Sequence, residues 1–385
     1  VSIREAQPRD KDEWRIWCNR ERYQPLDLMT RDEFASKPNS EQKQWLTHRK
    51  LCHSNPGFFK TWQYRQIYDQ IADRLDVNEY SADGTYLSVA VDAPAQCGKT
   101  SLLKHIGELY EVKCRALHPE RERRLLGDWV PVVYVSASTG ATAFQLSQAL
   151  GNFLNVPVRA ASSNKWSVTD PVLKGLKYAG TELILLDDLH MIDQHRGMGE
   201  ETNNHLKNLS NHCAATIIGA GILLDETNLF NDGRPPPVTR KQSTAPGRNR
   251  GRSSQFGSRF PDLQQLAPFE IGTEEEQKYW AWLVWQFEQR LRLFDHDLGS
   301  LAGQGWRDLH ERTSGYIGPL TTLFKLAAAR AIRTKAEKID ADLLDQIWMD
   351  FNSEADFAAV RERRRRAAAR SKAVAAAAQA KADTG

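Results

Sequence analysis

Residues 93–101 read Ala-Pro-Ala-Gln-Cys-Gly-Lys-Thr-Ser, a set of small, flexible and cationic residues suited to holding phosphate. The apolar run Tyr86-Leu87-Ser88-Val89-Ala90-Val91 leads in, and the helix-like Ser101-Leu102-Leu103-Lys104-His105-Ile106 leads out. Strand, tight loop, Gly-Lys-Thr and helix form the context a phosphate-binding loop requires. There, successive backbone N–H groups and a helix N-terminus face the anion. Ala95, Gln96, Cys97, Gly98, Lys99, Thr100 and Ser101 would form this cradle. Lys99 would reach the β- and γ-phosphates of a nucleotide, and the Thr100 hydroxyl would ligate Mg²⁺. Ala93 stands where the pattern G-x-x-x-x-G-K-[ST] has its first glycine. Alanine is acceptable there if the left-handed bends fall elsewhere in the loop.

A second chemical feature ends another apolar run, Leu183-Ile184-Leu185-Leu186-Asp187-Asp188. Asp187 would hold Mg²⁺ directly or through water, and Asp188 would orient or deprotonate an attacking water. Taken alone, the pair reads first as a solvent-facing turn at a strand end; its place after a phosphate loop turns the reading to the functional one. Asp188 is one methylene shorter than the glutamate many P-loop ATPases carry, which points either to slow hydrolysis or to a site that closes further around the water. Arg259, in Ser258-Arg259-Phe260, is either an arginine finger for a neighbouring subunit's γ-phosphate or a surface arginine against Phe260. His190 and His195 lack an evident third ligand and read as hydrogen-bonded loop histidines rather than a metal site.

These groups need a scaffold, and the apolar runs supply one. Strands are expected at 86–91, 130–135, 183–188 and 214–219, with a fifth marked by Phe269 and Ile271. Helical periodicity lies between them, at Trp62–Ile71 and Thr142–Leu150. Strands alternating with helices imply a parallel sheet covered on both faces. Residues 158–168 read as a polar loop. From Glu274 the pattern is helical: Tyr279, Trp280, Leu283, Trp285, Phe287 and Leu291 mark a long aromatic helix. Pro319 opens another, with Leu320, Leu323, Phe324 and Ala327 on one face. A last helix holds Leu343, Leu344, Ile347, Trp348 and Phe351. The expected organisation is an N-terminal helical extension over 1–60, an α/β core over 61–272 with a basic insertion near 233–253, a helical lid over 273–355, and a basic tail over 356–385.

The 385-residue chain has a net charge of +3, which hides an uneven distribution. Residues 234–252 hold six basic residues and no acid, and residues 361–372 hold seven basic residues and one acid. Two such segments suit a polyanionic partner, although the tail reads rather as a solvated or disordered end. No run approaches the ~18 apolar residues of a membrane span. The five scattered cysteines form no Cys-x-x-Cys pair, which argues against disulfides and zinc and for a cytoplasmic setting.

The order of motifs resembles the AAA+ ATPases and, more narrowly, the TniB/TnsC family of bacterial transposition regulators. The loop at 93–101 is followed by Leu183 to Ile192, then His195-Arg196-Gly197-Met198-Gly199 leading to Leu206-Lys207-Asn208-Leu209. Thr216-Ile217-Ile218-Gly219-Ala220-Gly221, Ser258-Arg259-Phe260 and Gly315-Tyr316-Ile317-Gly318 complete it. The resemblance implies a P-loop NTPase of AAA+ type: a five-stranded parallel sheet flanked by helices, with a C-terminal helical lid. It implies ATP and Mg²⁺ bound between subunits, and assembly as a ring or helical filament on duplex DNA. It also implies recruitment of a DDE transposase and a TniQ-type target-selection adaptor, with hydrolysis disassembling the filament. DNA contacts in the family come from core loops and helix starts. Arg159, Lys165 and Lys174 match that region, and they read equally as ordinary surface cations. Two family features are absent: a polar sensor-1 residue at the end of the fourth strand, and a sensor-2 arginine between Gly315 and Leu320. Two rivals remain at this level, a helicase-loader or initiator ATPase on single-stranded DNA and a non-hydrolysing nucleotide switch.

Overall fold

The computed structural model describes residues 7–20, 26–82, 86–124, 129–156, 166–192, 205, 208–209, 212–224 and 263–349, with 354, 357–358 and 362 beyond. The chain opens with helices α1 (Lys11–Asn19), α2 (Arg31–Ala35), α3 (Asn39–Ser54) and α4 (Trp62–Glu79). Then come β1 (Val89–Asp92), α5 (Lys99–Leu117), α6 (Pro119–Arg124), β2 (Val132–Ser136), α7 (Ala143–Phe153) and α8 (Trp166–Tyr178). β3 (Leu183–Asp187), β4 (Thr216–Gly221) and β5 (Leu263–Gln265) complete the strands described. The C-terminal helices are α9 (Glu274–Glu288), α10 (Trp306–Thr313), α11 (Ile317–Arg333) and α12 (Ala341–Asp345).

The chain divides into two units. One comprises residues 1–21 and 60–267, the other 22–59 and 268–385. The first is an α/β unit whose five strands run parallel in the order β2-β3-β4-β1-β5. β1, β3 and β4 are buried along their whole length, as expected of strands covered on both faces. β1 begins at Val89 rather than Tyr86, because Leu87 gives both backbone groups to the Asn78 side chain at 2.8 Å. The Asn78 amide also donates to Thr216 Oγ1 at 2.7 Å, which ties the end of α4 to the start of β4.

The fifth strand is not at Phe269 and Ile271. β5 lies at Leu263–Gln265, pairing with Ala90–Asp92 of β1. Phe269 belongs to the other unit, where its N–H donates to Gly315 O at 2.9 Å and its ring packs beside Trp280. The segment read as a polar loop also changes. Residues 157–165 are outside the described residues, and α8 begins at Trp166 and carries Pro171 inside it.

The helical unit is built around Trp280, Leu283, Val284 and Phe287 of α9 and Leu320, Leu323, Phe324 and Ala327 of α11, all buried. A capping box starts α9, with Thr273 accepting from Glu276 N–H while the Glu276 side chain accepts from Thr273 N–H. α11 begins at Ile317, so Pro319 sits in its first turn. The last helix is shorter than expected: α12 stops at Asp345, Trp348 is exposed, and Phe351 lies outside the described residues.

The N-terminal residues do not form an extension of their own. α1 packs within the α/β unit, its Trp14 ring stacked on Tyr134 at 5.7 Å. α3 packs within the helical unit, where Trp45 stacks on Phe294 at 5.4 Å. There the buried Arg49 makes a two-pronged ion pair with Glu337 at 2.8 and 3.1 Å. Each segment carries aromatic side chains that a single short helix could not bury alone, so each joins a neighbouring core.

Candidate functional site

The loop between β1 and α5 gathers the residues expected from sequence to hold phosphate. Two of its residues take left-handed conformations, Gln96 at φ 65° and Gly98 at φ 95°. Ala93 keeps a negative φ and is buried, its N–H donating to Gly221 O at 3.0 Å. The loop therefore bends at Gln96 and Gly98, and its first position needs only a small side chain. Gly98 precedes α5 directly, and no side chain caps that helix. Its first-turn N–H groups, at the positive end of a 19-residue helix, thus point into the loop. Lys99 opens α5 and is buried; its Nζ donates to the carbonyls of Ala93 and Pro94, each at 2.8 Å. Burial pulls the Lys99 ammonium below lysine's usual range, and Cys97, Asp187, Asp188 and Asp92 oppose that shift. Burial pushes the Cys97 thiol up to about 11, so this cysteine is an inert filler at neutral pH. Thr100 is half-buried and Ala95, Gln96 and Ser101 are exposed around it.

Two strands away, β3 delivers the carboxylates. Asp187 is its last residue and is 1% exposed. Its Oδ1 accepts from Asp188 N–H at 3.0 Å, and its Oδ2 accepts from the Tyr134 hydroxyl at 3.0 Å. Asp188 follows in a left-handed turn, φ 56° and ψ 36°, which rotates its side chain away from the strand direction. The Ser136 hydroxyl donates to Asp188 Oδ2 at 3.0 Å, and Asp188 stays half-buried. Ser136 and Tyr134, both on β2, were not singled out from sequence, because nothing in a continuous, buried apolar strand marks them. Sheet register reveals them: Ser136 lies opposite Asp187 and Tyr134 opposite Leu185.

The end of β4 offers no polar side chain. Gly219 and Ala220 are buried, and a Cβ on Gly219 would stand 2.4 Å from Leu189 Cδ1. The glycine leaves room for the turn after Asp188, so the missing sensor-1 residue has a packing reason. Nor is a sensor-2 arginine found in the first turn of α11. The nearby Arg312 is buried inside the helical unit, donating to the carbonyls of Leu344 and Ile347 and to Glu354. His190 does not form the expected hydrogen bond: its Nδ1 is buried without a partner among the described residues. His195 lies outside them, as do Arg259, Arg159, Lys165, the basic segment 233–253 and nearly all of the tail. Lys174 lies on the exposed face of α8. Among the described residues no cluster of three metal-ligating side chains occurs, all five cysteines are free, and no helix is long and apolar enough to cross a membrane.

The donors present fit a nucleotide with a hard divalent cation. Thr100 and Asp187 offer oxygen ligands, and the uncapped helix start with Lys99 offers an anion site.

Residues 54–232 match the family model described as Bacterial TniB protein, the family the motif order resembles. A search of curated proteins returns no match. Among solved structures, the fold is similar to the Aeropyrum pernix ORC1 protein in complex with DNA, at TM-score 0.53 and 14% identity, covering 80% of this chain and 69% of that one. The Aeropyrum pernix ORC2 protein, with ADPNP and ADP, aligns at TM-score 0.49 and 13% identity, covering 76% of this chain and 70% of that one. CDC6P from Pyrobaculum aerophilum aligns at TM-score 0.49 and 12% identity, covering 74% and 67%. The sheet order and the ORC1 likeness show a parallel α/β fold.

Proposed function

We propose that this chain is an ATP-dependent, DNA-binding regulator of DNA transposition that acts as a homo-oligomer. The observation that carries the reading is a Gly-Lys-Thr loop after β1 at the same end of the parallel sheet as Asp187 and Asp188, inside a segment that matches the TniB family. In this reading the α5 N-terminus and residues 95–101 bind the phosphates. Lys99 exchanges its two carbonyl partners for phosphate oxygens. Thr100 and Asp187 hold Mg²⁺, which would neutralise charge developing on the transferred phosphoryl group. Asp188, aimed by Ser136 and its left-handed turn, orients the attacking water. Arg259 acts in trans on a neighbouring subunit's nucleotide. With no polar side chain at the end of β4 and the short Asp188 in the water position, hydrolysis is slow and serves release rather than work. ATP then acts chiefly as an assembly signal.

Duplex DNA is the proposed track, engaged by Arg159, Lys165 and Lys174 and by the basic segments at 234–252 and 361–372. A DDE transposase and a TniQ-type adaptor are the proposed partners. The test is electron microscopy of the full chain with duplex DNA and a non-hydrolysable ATP analogue. Rings or filaments threaded by DNA, absent without nucleotide and weakened steeply by salt, are expected. Nucleotide-independent monomers without DNA affinity at low salt would sink the reading. A preference for single-stranded DNA would move it to the loader or initiator class.

A further inference from the structure

Asp187 is held from behind by groups that no phosphate-loop motif includes. The Tyr134 hydroxyl donates to Asp187 Oδ2 at 3.0 Å, with Tyr134 only 3% exposed. A phenol hydroxyl facing a carboxylate oxygen can only donate to it, so the tyrosine acts as the donor. The ring is clamped in turn. Trp14 of α1 stacks on it at 5.7 Å with 12° between planes. Lys104 of α5 places its Nζ 5.3 Å from the ring centroid, and 5.1 Å from the Trp17 ring of α1.

Helix α1 is seated firmly enough to act as a clamp. Asp10 caps it by accepting from Asp12 and Glu13 N–H at 3.0 and 2.8 Å. At its C-terminal end Arg20 pairs with the buried Glu108 of α5 at 3.4 Å. Gly107 of α5 leaves the space that Trp14 fills, since a Cβ there would meet the indole at 2.9 Å. An aspartate side chain has two free torsions. A buried donor on one oxygen and a backbone N–H on the other remove both, and pre-set the carboxylate before any cation arrives.

We propose that Tyr134 is a positioning residue for Asp187, and that helix α1, through Trp14, holds Tyr134 in place. The metal half of the site is then supported by the N-terminal helix. The proposal rests on the reading of Asp187 as a Mg²⁺ ligand. A tyrosine that merely fills the core would affect folding but not the metal.

The test uses the full chain and a fluorescent ADP analogue, titrated with Mg²⁺ and, separately, in EDTA. Melting temperatures are read on the same samples. For Tyr134→Phe, the Mg²⁺ midpoint should rise roughly tenfold, as expected for losing one hydrogen bond to a charged group. Its metal-free nucleotide affinity should stay within about twofold of the parent protein. Trp14→Phe, which keeps an aromatic ring, should leave the midpoint near the parent value, and Trp14→Ala should raise it in the direction of Tyr134→Phe. An unchanged midpoint in Tyr134→Phe overturns the proposal. So does an equal loss of metal-free and metal-bound affinity, which marks a purely structural tyrosine. Failure of the parent protein to bind the analogue, or to respond to Mg²⁺, overturns the nucleotide reading itself and the proposal with it.

Discussion

At the scale of single residues, the departure at Ala93 loses its significance once the backbone is known. A glycine in a phosphate loop is needed where φ is positive, and here those positions are Gln96 and Gly98. Ala93 is buried with a negative φ, so alanine carries no strain there and leaves the unfolded chain less freedom than glycine would. Ala93→Gly should therefore lower stability by about 0.5–1 kcal/mol without improving nucleotide affinity. Urea unfolding and analogue titration together check this, and a gain in affinity would show that the first position does need glycine. The carboxylates teach the converse. Asp187 and Asp188 are adjacent in sequence, yet one is buried and doubly hydrogen-bonded while the other turns into the left-handed region, half-buried, on the Ser136 hydroxyl. Two adjacent aspartates thus sit in different environments, as the separate roles proposed for them require.

At the scale of elements, the strands that read well are those buried on both faces, because they are apolar throughout. β5 is short and only partly buried, so its Leu-Gln-Gln carries little pattern. α8 was obscured by Pro171, which removes a helical hydrogen bond and argues locally against a helix. Burial of Val172 and Leu176 outweighs that local cost. The end of β4 is decided by packing against the turn that follows Asp188. Gly219→Ala would press a methyl to within 2.4 Å of the present Leu189 Cδ1. It should destabilise the chain by about 1–3 kcal/mol, the cost of overpacking a dense core. Adding Leu189→Ala should make the two changes less than additive, since the second opens the space the first requires. Chemical unfolding midpoints of the single and double variants measure the coupling, and strict additivity would refute the contact.

At the scale of the whole molecule, the first sixty residues serve two cores rather than one. Trp14 belongs to the α/β unit, whereas Trp45, Arg49 and His53 belong to the helical unit. His53 illustrates the consequence. Its Nε2 accepts from Arg292 N–H at 2.8 Å, which requires that nitrogen to be unprotonated. Burial, aided by the charges of Arg49 and Arg292, lowers its pKa from 6.5 to about 4. The folded state thus disfavours the proton that the unfolded chain takes up. The resulting stability is fully present above about pH 6.5 and is lost as pH falls toward 4, by up to roughly 3 kcal/mol. His53→Gln can still accept from Arg292 and cannot titrate. Between pH 7 and pH 4 the parent protein should lose more unfolding free energy than this variant, the carboxylates common to both cancelling in the difference. Identical acid slopes would show that His53 does not carry the effect.

The sequence by itself determined the Gly-Lys-Thr loop between a strand and a helix, the carboxylate pair at a strand end, the parallel α/β core and the change to helices after Glu274. Each of these is a local signal: a spacing of special residues, or an apolar period set by the geometry of one element. The same was true of the resemblance that the TniB match over residues 54–232 later met. Only the tertiary structure decided that α1 and α3 join different cores, that Phe269 packs among helices instead of forming a strand, and that Tyr134 and Ser136 hold the two aspartates. Those outcomes depend on partners distant along the chain, as for Phe269 with Gly315, Ser136 with Asp188 and Arg49 with Glu337. Pairing at that distance follows from which surfaces bury each other, and no periodicity within a single segment encodes it.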